Sequence, residues 1–600
     1  MNRSFLSKSV LTVPLAALAL AVSSAYAAPV IGPSGSAFYN APAEETLTGN
    51  HGDLISYRPT TANLGAGAPA TKAWNVIYQS QNIDEIPTAV SGTVLVPTAA
   101  WAGTGARPVI VYAVGTHGLA NKCAPSRRFE AGDDYESANI AAALKAGYAV
   151  LVTDYAGYLS GQTPSYIVGS VEGRNLLDMF TAALSIPQSG IDASAKVGIW
   201  GFSQGGQASA SAGEIQSSLN YAPKMNLVGI SAGGVPGDLP VTAKYLNAST
   251  GSSFLFATVI GLQNEYTNEV PLDLLTNDLG KAELANLKTQ CVFEALFKYR
   301  NQDISKYTNG NQSLDTLLNF NKVPSVLKAE TLGTKKINVP LYNFHGQADE
   351  FIPLGQALAL RKKYCALGTN VTFDLYDSEH IVTQYQAALP SLAFLADRFA
   401  GKAATGNCNS TTPDPISTAN PGGGDFIVSL NKWPLTASLD LKGLKQTVTL
   451  PATSTFTAQA NVSTPGLTGD LSVPDFSSRL KIIGINAQVA LQVTPVGKTT
   501  GTASVDNDGK LHIAATAKTD ITVASVWGIN FGACKTQTPV SFDLKYDGPL
   551  SALGYGIPFT GTTTFPQIKG CIISAIISAL MSGPGQVYNF NVAPPAPKRF

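Results

Sequence analysis

Three side chains of this 600-residue chain could together run an acyl transfer. Ser203 lies in Gly201-Phe-Ser-Gln-Gly205, after the apolar run Val197–Trp200 and before a small-residue stretch that can be helix. Strand, tight turn and helix put a serine hydroxyl at the mouth of a sheet, and glycines on either side remove Cβ atoms that would strike the neighbouring strand and helix. A hydroxyl attacks a carbonyl only when a base takes its proton. His380, closing Val371-Thr-Phe-Asp-Leu-Tyr-Asp-Ser-Glu-His380, is placed to be that base and to protonate the leaving alcohol afterwards. Asp349, in Leu341-Tyr-Asn-Phe-His-Gly-Gln-Ala-Asp-Glu-Phe-Ile-Pro353, is placed to fix the imidazole tautomer, with the adjacent Glu350 as its rival. Of the five histidines, His345 precedes the acid, out of order, and is expected to support the acid loop. The developing oxyanion needs two backbone N–H groups. One is expected from Gln204; the other from Gly115-Thr-His-Gly118, through Thr116 or His117.

The elements around these residues predict an α/β fold. Strand-like runs occur at 108–114, 148–153, 197–200, 227–231, 339–344 and 371–376, and an antiparallel pair at 73–81 and 88–97 precedes them. Helix-like stretches alternate with the strands, among them Val171–Ile186 with Leu176, Leu177, Phe180 and Leu184 on one face. Such alternation implies a mostly parallel sheet covered by helices. With the elbow and the order serine, acid, histidine, it reads as an α/β-hydrolase. The interval 238–336 has helix-like pieces but no core strand, and is expected to be an inserted helical cap, with the apolar stretch Phe254–Leu262 in it. The catalytic domain is bounded at 28–402, its last helix running about Ile381–Phe399, and 403–424 reads as a linker. Beyond it, 425–600 alternates as an antiparallel sandwich or barrel, with Leu435, Ala437, Leu439 and Leu441 on one face and the run Cys571–Met581 expected to pack on it.

Only 13% of residues are charged and the forty basic balance the forty acidic, so no electrostatic footprint for nucleic acid exists. Arg3 and Lys8, the apolar stretch Val10–Val22 and Ala25-Tyr-Ala27 read as a secretory signal peptide over 1–27. No later run is long enough to span a bilayer, so the protein is expected to be exported, extracellular or periplasmic, without a transmembrane segment. In that compartment Cys123, Cys291, Cys365, Cys408, Cys534 and Cys571 are expected to form disulfides, with fifteen pairings open. No C-x-x-C and no clustered histidines suggest a metal, and no cofactor is expected.

Further stretches carry a resemblance. Cys123-Ala-Pro-Ser126, Gly147-Tyr-Ala-Val-Leu-Val-Thr-Asp-Tyr155, Tyr166-Ile-Val-Gly169, the elbow, Tyr221-Ala-Pro-Lys-Met-Asn-Leu-Val-Gly229 and Gly233-Gly-Val-Pro236 occur in the order in which the secretory lipase family has them. The resemblance covers roughly 40–410 and implies an α/β-hydrolase with a helical cap that hydrolyses carboxylic esters and acylglycerols. It implies the disulfides Cys123–Cys291 and Cys365–Cys408, which leaves Cys534–Cys571 for the β-rich domain. A yeast member has an acidic residue in the oxyanion loop where this chain has Gly115-Thr-His-Gly118, and the family says nothing of 425–600.

The expected function is a secreted serine lipase or esterase working through an acyl-enzyme on Ser203, with an ester or lipid substrate, an apolar tunnel under the cap and a lipid or polymer interface. The same triad would serve a polyester or cutin-type hydrolase or an acyltransferase. A third reading, from another class, is a surface- or lipid-binding protein with a vestigial hydrolase domain.

Overall fold

The structure, a computed structural model, describes residues 30–411, 427–461, 464–482 and 484–599. The expected signal peptide and residues 412–424 of the expected linker lie outside them. One sheet carries β1 (Val30–Ile31), β2 (Leu54–Thr60), β3 (Thr71–Gln81), β4 (Pro87–Pro97), β5 (Val109–Ala113), β6 (Ala149–Ala156), β7 (Lys196–Phe202), β8 (Asn226–Gly233), β9 (Leu341–Gly346) and β10 (Val371–Tyr376). Their order is β1-β2-β3-β4-β6-β5-β7-β8-β9-β10. From β6 through β10 all pairings are parallel, whereas β2, β3, β4 and β6 pair antiparallel. Every residue of β5 and β6 is buried, as parallel strands covered on both faces require.

Helices α1 (Gly169–Leu184) and α2 (Gln204–Leu219) cross at very short range. A Cβ on Gly173 would stand 2.8 Å from the backbone nitrogen of Ala212, and one on Gly206 would collide with the carbonyl of Gly233. The Gly-Ala-Ser composition of α2 is thus a packing requirement, letting the helix lie directly on the strand ends.

Between β8 and β9 lies the insertion expected as a cap, built from α3 (Leu239–Leu246), α4 (Ser252–Glu265), α5 (Asp278–Leu287), α6 (Val292–Lys298), α7 (Val323–Ala329) and shorter helical turns. The helix after β9 is α8 (Leu354–Ala366). The expected last helix is two, α9 (His380–Gln386) and α10 (Ala388–Phe399), broken at Ala387. Residues 403–411 lie against the sheet: Asn407 bonds both backbone groups of Phe373, and Cys408 is joined to Cys365.

The C-terminal region is β-rich and its strands pair antiparallel. Its strands are β11 (Ile427–Leu441), β12 (Gln446–Thr449), β13 (Thr455–Asn461), β14 (Gly466–Ser472), β15 (Phe476–Ile482), β16 (Ile485–Pro495), β17 (Thr499–Val505), β18 (Lys510–Val526), β19 (Gly532–Thr536), β20 (Val540–Pro549), β21 (Ile557–Phe565), β22 (Ile568–Cys571) and β23 (Gly583–Val592). Leu511, Ile513, Ala515, Ala517, Thr519, Ile521 and Val523 of β18 alternate inward, the two-residue period of a half-buried strand. The run Cys571–Met581 packs only in part: Ile577 and Met581 are buried, whereas Ile572 and Ile576 face solvent.

This region is also docked on the hydrolase, for which the sequence holds no signal. Helix α11 (Ala552–Tyr555) packs so tightly on α9 that a Cβ on Gly554 would strike the carbonyl of Tyr385. The final strand β24 (Lys598–Arg599) pairs with β10 and closes the edge of the hydrolase sheet. There Arg599 grips the fully buried carboxylate of Asp374 through two bonds of 2.8 and 2.7 Å. Because the arginine is largely exposed, screening tempers the pair. Arg599→Ala should cost about 1–2 kcal/mol by leaving Asp374 short of its cation. Thermal unfolding should show the loss at low ionic strength and a smaller one at high salt.

Candidate active site

At the end of β7 the chain turns directly into α2, with Ser203 at φ 59° and ψ −121°. Left-handed φ in a non-glycine residue costs on the order of 1–3 kcal/mol and persists only where surroundings enforce it. Here they do. The Ser203 N–H donates to the carbonyl of Gly233 at 2.9 Å. A Cβ on Gly201 would collide with the Gly205 carbonyl, and one on Gly205 with the Ala113 carbonyl of β5. Both glycines of the motif are therefore required by backbone approach.

The loop after β9 brings Asp349 beneath His380, the first residue of α9. Asp349 Oδ1 accepts from the N–H groups of Phe351 (2.9 Å) and Ile352 (2.8 Å), and His380 Nδ1 lies 2.7 Å from Asp349 Oδ2. Burial pushes the Asp349 pKa up, but the two imidazoles and these hydrogen bonds outweigh it and hold the carboxyl below its ordinary range. Burial pulls His380 down, and the carboxylates of Asp349 and Glu350 outweigh that, leaving its pKa above 6.5. Glu350 is not the ring's partner: its Oε2 accepts the backbone N–H of His380 at 2.9 Å. Burial and the neighbouring Asp349 push Glu350 up to about 7. His345 donates toward the carbonyl of Ile352 at 2.9 Å and stands 3.4 Å from Asp349, so it sits against the acid loop. Phe202 and Phe351 flank the His380 ring, at 4.7 and 5.3 Å between centroids.

Ser203 and His380 face two cavities. One runs between Tyr166, Ile167, Phe254 and Phe351. It shares Leu239, Ala243, Leu255 and Thr258 with an apolar pocket of the cap. The other is bounded by Thr116, Tyr135, Phe293, Gln384 and Tyr385. Gln204 begins α2, where the first N–H groups have no intrahelical acceptor. Thr116 lines the second cavity with Ser203, while the His117 ring turns away, between the Gly115 carbonyl and Asp134 (both 2.9 Å). The loop itself is pinned by buried Glu136, which accepts from the Gly115 N–H (2.6 Å) and the Tyr112 hydroxyl (2.5 Å).

Sequence reading missed Glu136 and Glu172, because a glutamate in a turn or on a helix reads as solvated until the fold buries it. Glu172 Oε1 accepts from Gln204 Nε2 (2.7 Å) and the Ile167 N–H (3.0 Å), tying the residue after Ser203 to the wall of the first cavity. Burial raises its pKa to about 8. The three disulfides are Cys123–Cys291, joining the segment after the loop at 115–118 to the start of α6, Cys365–Cys408, and Cys534–Cys571.

The sequence profile described as secretory lipase matches residues 131–407. A probable inactive lipase of Mycobacterium tuberculosis is 30% identical over 394 residues, spanning 63% of this chain and 85% of that one. The chain belongs to the secretory lipase family. Another member, a secreted triacylglycerol lipase of Malassezia furfur, is 25% identical over 398 residues, 63% of this chain and 78% of the relative. Candida antarctica lipase A superposes with a TM-score of 0.56 at 25% identity, covering 64% of this chain and 91% of that structure. This secretory lipase is thus a lipase-type α/β-hydrolase, a secreted protein with three disulfides and an additional β-rich region.

Glu172 yields a pH test. Its burial cost is absent below the ordinary glutamate value of 4.5, grows as pH rises, and is complete above about 8. Glu172→Gln should therefore raise the melting temperature relative to the parent at pH 9 and have a much smaller effect at pH 5, a difference on the order of a few kcal/mol. A pH-independent offset in thermal scans would show that Glu172 does not carry this burden.

Proposed function

We propose that this secretory lipase is a serine carboxylic-ester hydrolase that cleaves acylglycerols or related long-chain esters through an acyl-enzyme on Ser203. The observation that carries the reading is the shared site: a serine held in a strained elbow faces the same two cavities as His380, whose Nδ1 is bound by Asp349. With its proton on Nδ1, the imidazole keeps a lone pair on Nε2 for the Ser203 proton. Attack on the ester carbonyl forms the Ser203 Oγ–carbon bond and an oxyanion, for which the N–H groups of Gln204 and Thr116 are the donors. Collapse breaks the bond to the alkoxide, which takes the proton from His380 and leaves as alcohol. Water then repeats the sequence on the acyl-enzyme and releases the acid.

The two cavities suggest the substrate's arrangement. The acyl chain lies in the first and continues into the apolar space of the cap, while the alcohol occupies the second, beside Tyr135, Gln384 and Tyr385. Enclosure by the cap favours one flexible chain over a polymer strand. The relative named a probable inactive lipase makes direct measurement of turnover the deciding experiment.

Ser203→Ala should lower kcat on p-nitrophenyl and glycerol esters by at least 10³-fold and abolish labelling by an alkyl phosphonate. Parent-level turnover by that variant, or a parent inert to the phosphonate, would sink the proposal.

A second expectation concerns pH. The base must be neutral, so kcat/KM should fall on acidification through the raised His380 pKa, giving an acid limb above pH 6.5. Removing a nearby negative charge favours neutral imidazole, so Glu350→Gln should move that limb to lower pH. A limb that stays put or moves upward in the pH–rate profile would contradict this electrostatic account.

A further inference from the structure

At one end of the C-terminal region, large apolar side chains point into solvent. Ile485, Trp527, Ile529, Ile572 and Ile576 are 62, 49, 55, 86 and 53% exposed. Their backbones adjoin in space although they come from three stretches of chain. The Trp527 Nε1–H donates to the carbonyl of Asn486, next to Ile485, and the Trp527 N–H to that of Gln488. Ile529 closes the turn after β18 by bonding Val526. Two residues on, the Phe531 carbonyl accepts the N–H of Ile572, and Ile576 lies one helical turn beyond. The Cys534–Cys571 disulfide and the β19–β22 pairing lock these last segments together.

This end is built, not frayed. Trp527 has φ 52°, a conformation costly for a bulky residue, and with its indole N–H held by a backbone carbonyl the ring remains half exposed. Isolated exposed aliphatics are ordinary, but an isoleucine and tryptophan cluster at one tip marks an interaction surface. Unpaired basic side chains flank it. In the β15–β16 hairpin Lys481 pairs with Asn486 and Arg479 with Gln488, and on β22 Lys569 pairs with Lys535. Among the described residues, Arg479, Lys481 and Lys569 form no ion pair, and Asp520 is bound to Lys535.

We propose that this tip is an interfacial anchor that inserts its isoleucines and Trp527 into an anionic lipid surface, with Arg479, Lys481 and Lys569 against the headgroups. An apolar wedge supplies partition and a basic rim supplies electrostatic attraction, and stable attachment at a membrane surface takes two such signals. Tryptophan suits the depth at which acyl chains meet headgroups, since its ring is apolar and its N–H is satisfied. A cationic rim would also attract an acidic protein surface, but the protruding aliphatics favour a fluid apolar partner. The anchor involves no step of ester hydrolysis and stands or falls separately from the chemistry at Ser203.

The test uses the full-length protein and vesicles of dialkyl-ether phosphatidylcholine, with or without about 30% ether phosphatidylglycerol, which contain no ester bond to cleave. In flotation at physiological salt, the parent should bind the anionic vesicles at least tenfold more tightly than the neutral ones. Ile529→Asp with Ile572→Asp should weaken binding to the anionic vesicles at least tenfold. Lys481→Glu with Lys569→Glu should erase the preference for phosphatidylglycerol. Both pairs should hydrolyse a soluble short-chain ester as the parent does and keep its melting temperature. Should the aspartate pair not fold, the conservative Ile572→Ser with Ile576→Ser carries the same expectation of weaker flotation. A parent that ignores both vesicles, or variants that bind as it does, would overturn the anchor. So would a parent that sediments as a dimer which the aspartate pair dissociates, since the tip would then be a contact between copies of the chain.

Discussion

The first turn of α2 touches the end of β5, and the site depends on that contact. Gly205 lies so near the Ala113 carbonyl that no side chain fits between, and Gly201 is equally close to Gly205. With helix and strand clamped at this distance, the only path from β7 to α2 runs through a left-handed serine whose N–H is taken by Gly233. The clamp aims the serine side chain away from the sheet and leaves the opening N–H groups of α2 free of intrahelical acceptors. It also explains why so short a turn carries the strain: relaxing it would mean lifting α2 from β5, β8 and α1 together.

Around that point, buried carboxylates do the positioning that hydrophobic packing cannot. Asp349 orients the His380 ring, Glu350 holds the backbone of the same residue, Glu136 pins the loop at Gly115, and Glu172 ties Gln204 to the cavity wall. Each accepts more than one hydrogen bond or stands beside an imidazole, which is how a carboxyl group is tolerated in an apolar interior. Desolvation still leaves three of the four with raised pKa values, and only Asp349, between two histidines, goes the other way.

The β-rich region is tied into this machinery. The Ser429 N–H of β11 donates to Glu379, the residue before His380, at 3.2 Å, and α11 packs on the helix that His380 begins. Gly509, in the turn before β18, presses on Phe293 of the cap, which bounds the second cavity. The strand at 598–599 then completes the hydrolase sheet. A region that reads as a separate module thus reaches the helix of His380, the cap and the sheet edge.

Much of the hydrolase was legible in the chain because its signals are local. An elbow needs glycine at 201 and 205, parallel strands such as Val109–Ala113 show as unbroken apolar runs, and Asp349 and His380 each follow a strand. The last helix was read as one although Pro390, which has no N–H and whose ring clashes with the carbonyl four residues back, breaks it at Ala387. The fate of Glu136 and Glu172, the exposure of Ile572 beside the burial of Ile577, and the docking of β24 were beyond local reading. What the sequence by itself determined was which residues could act and in which elements they sit, since propensity and period are properties of neighbouring residues. Which carboxylates are desolvated, which apolar side chains stay uncovered and how the β-rich region meets the hydrolase were decided only by tertiary structure, because burial and partnership depend on residues hundreds of positions apart.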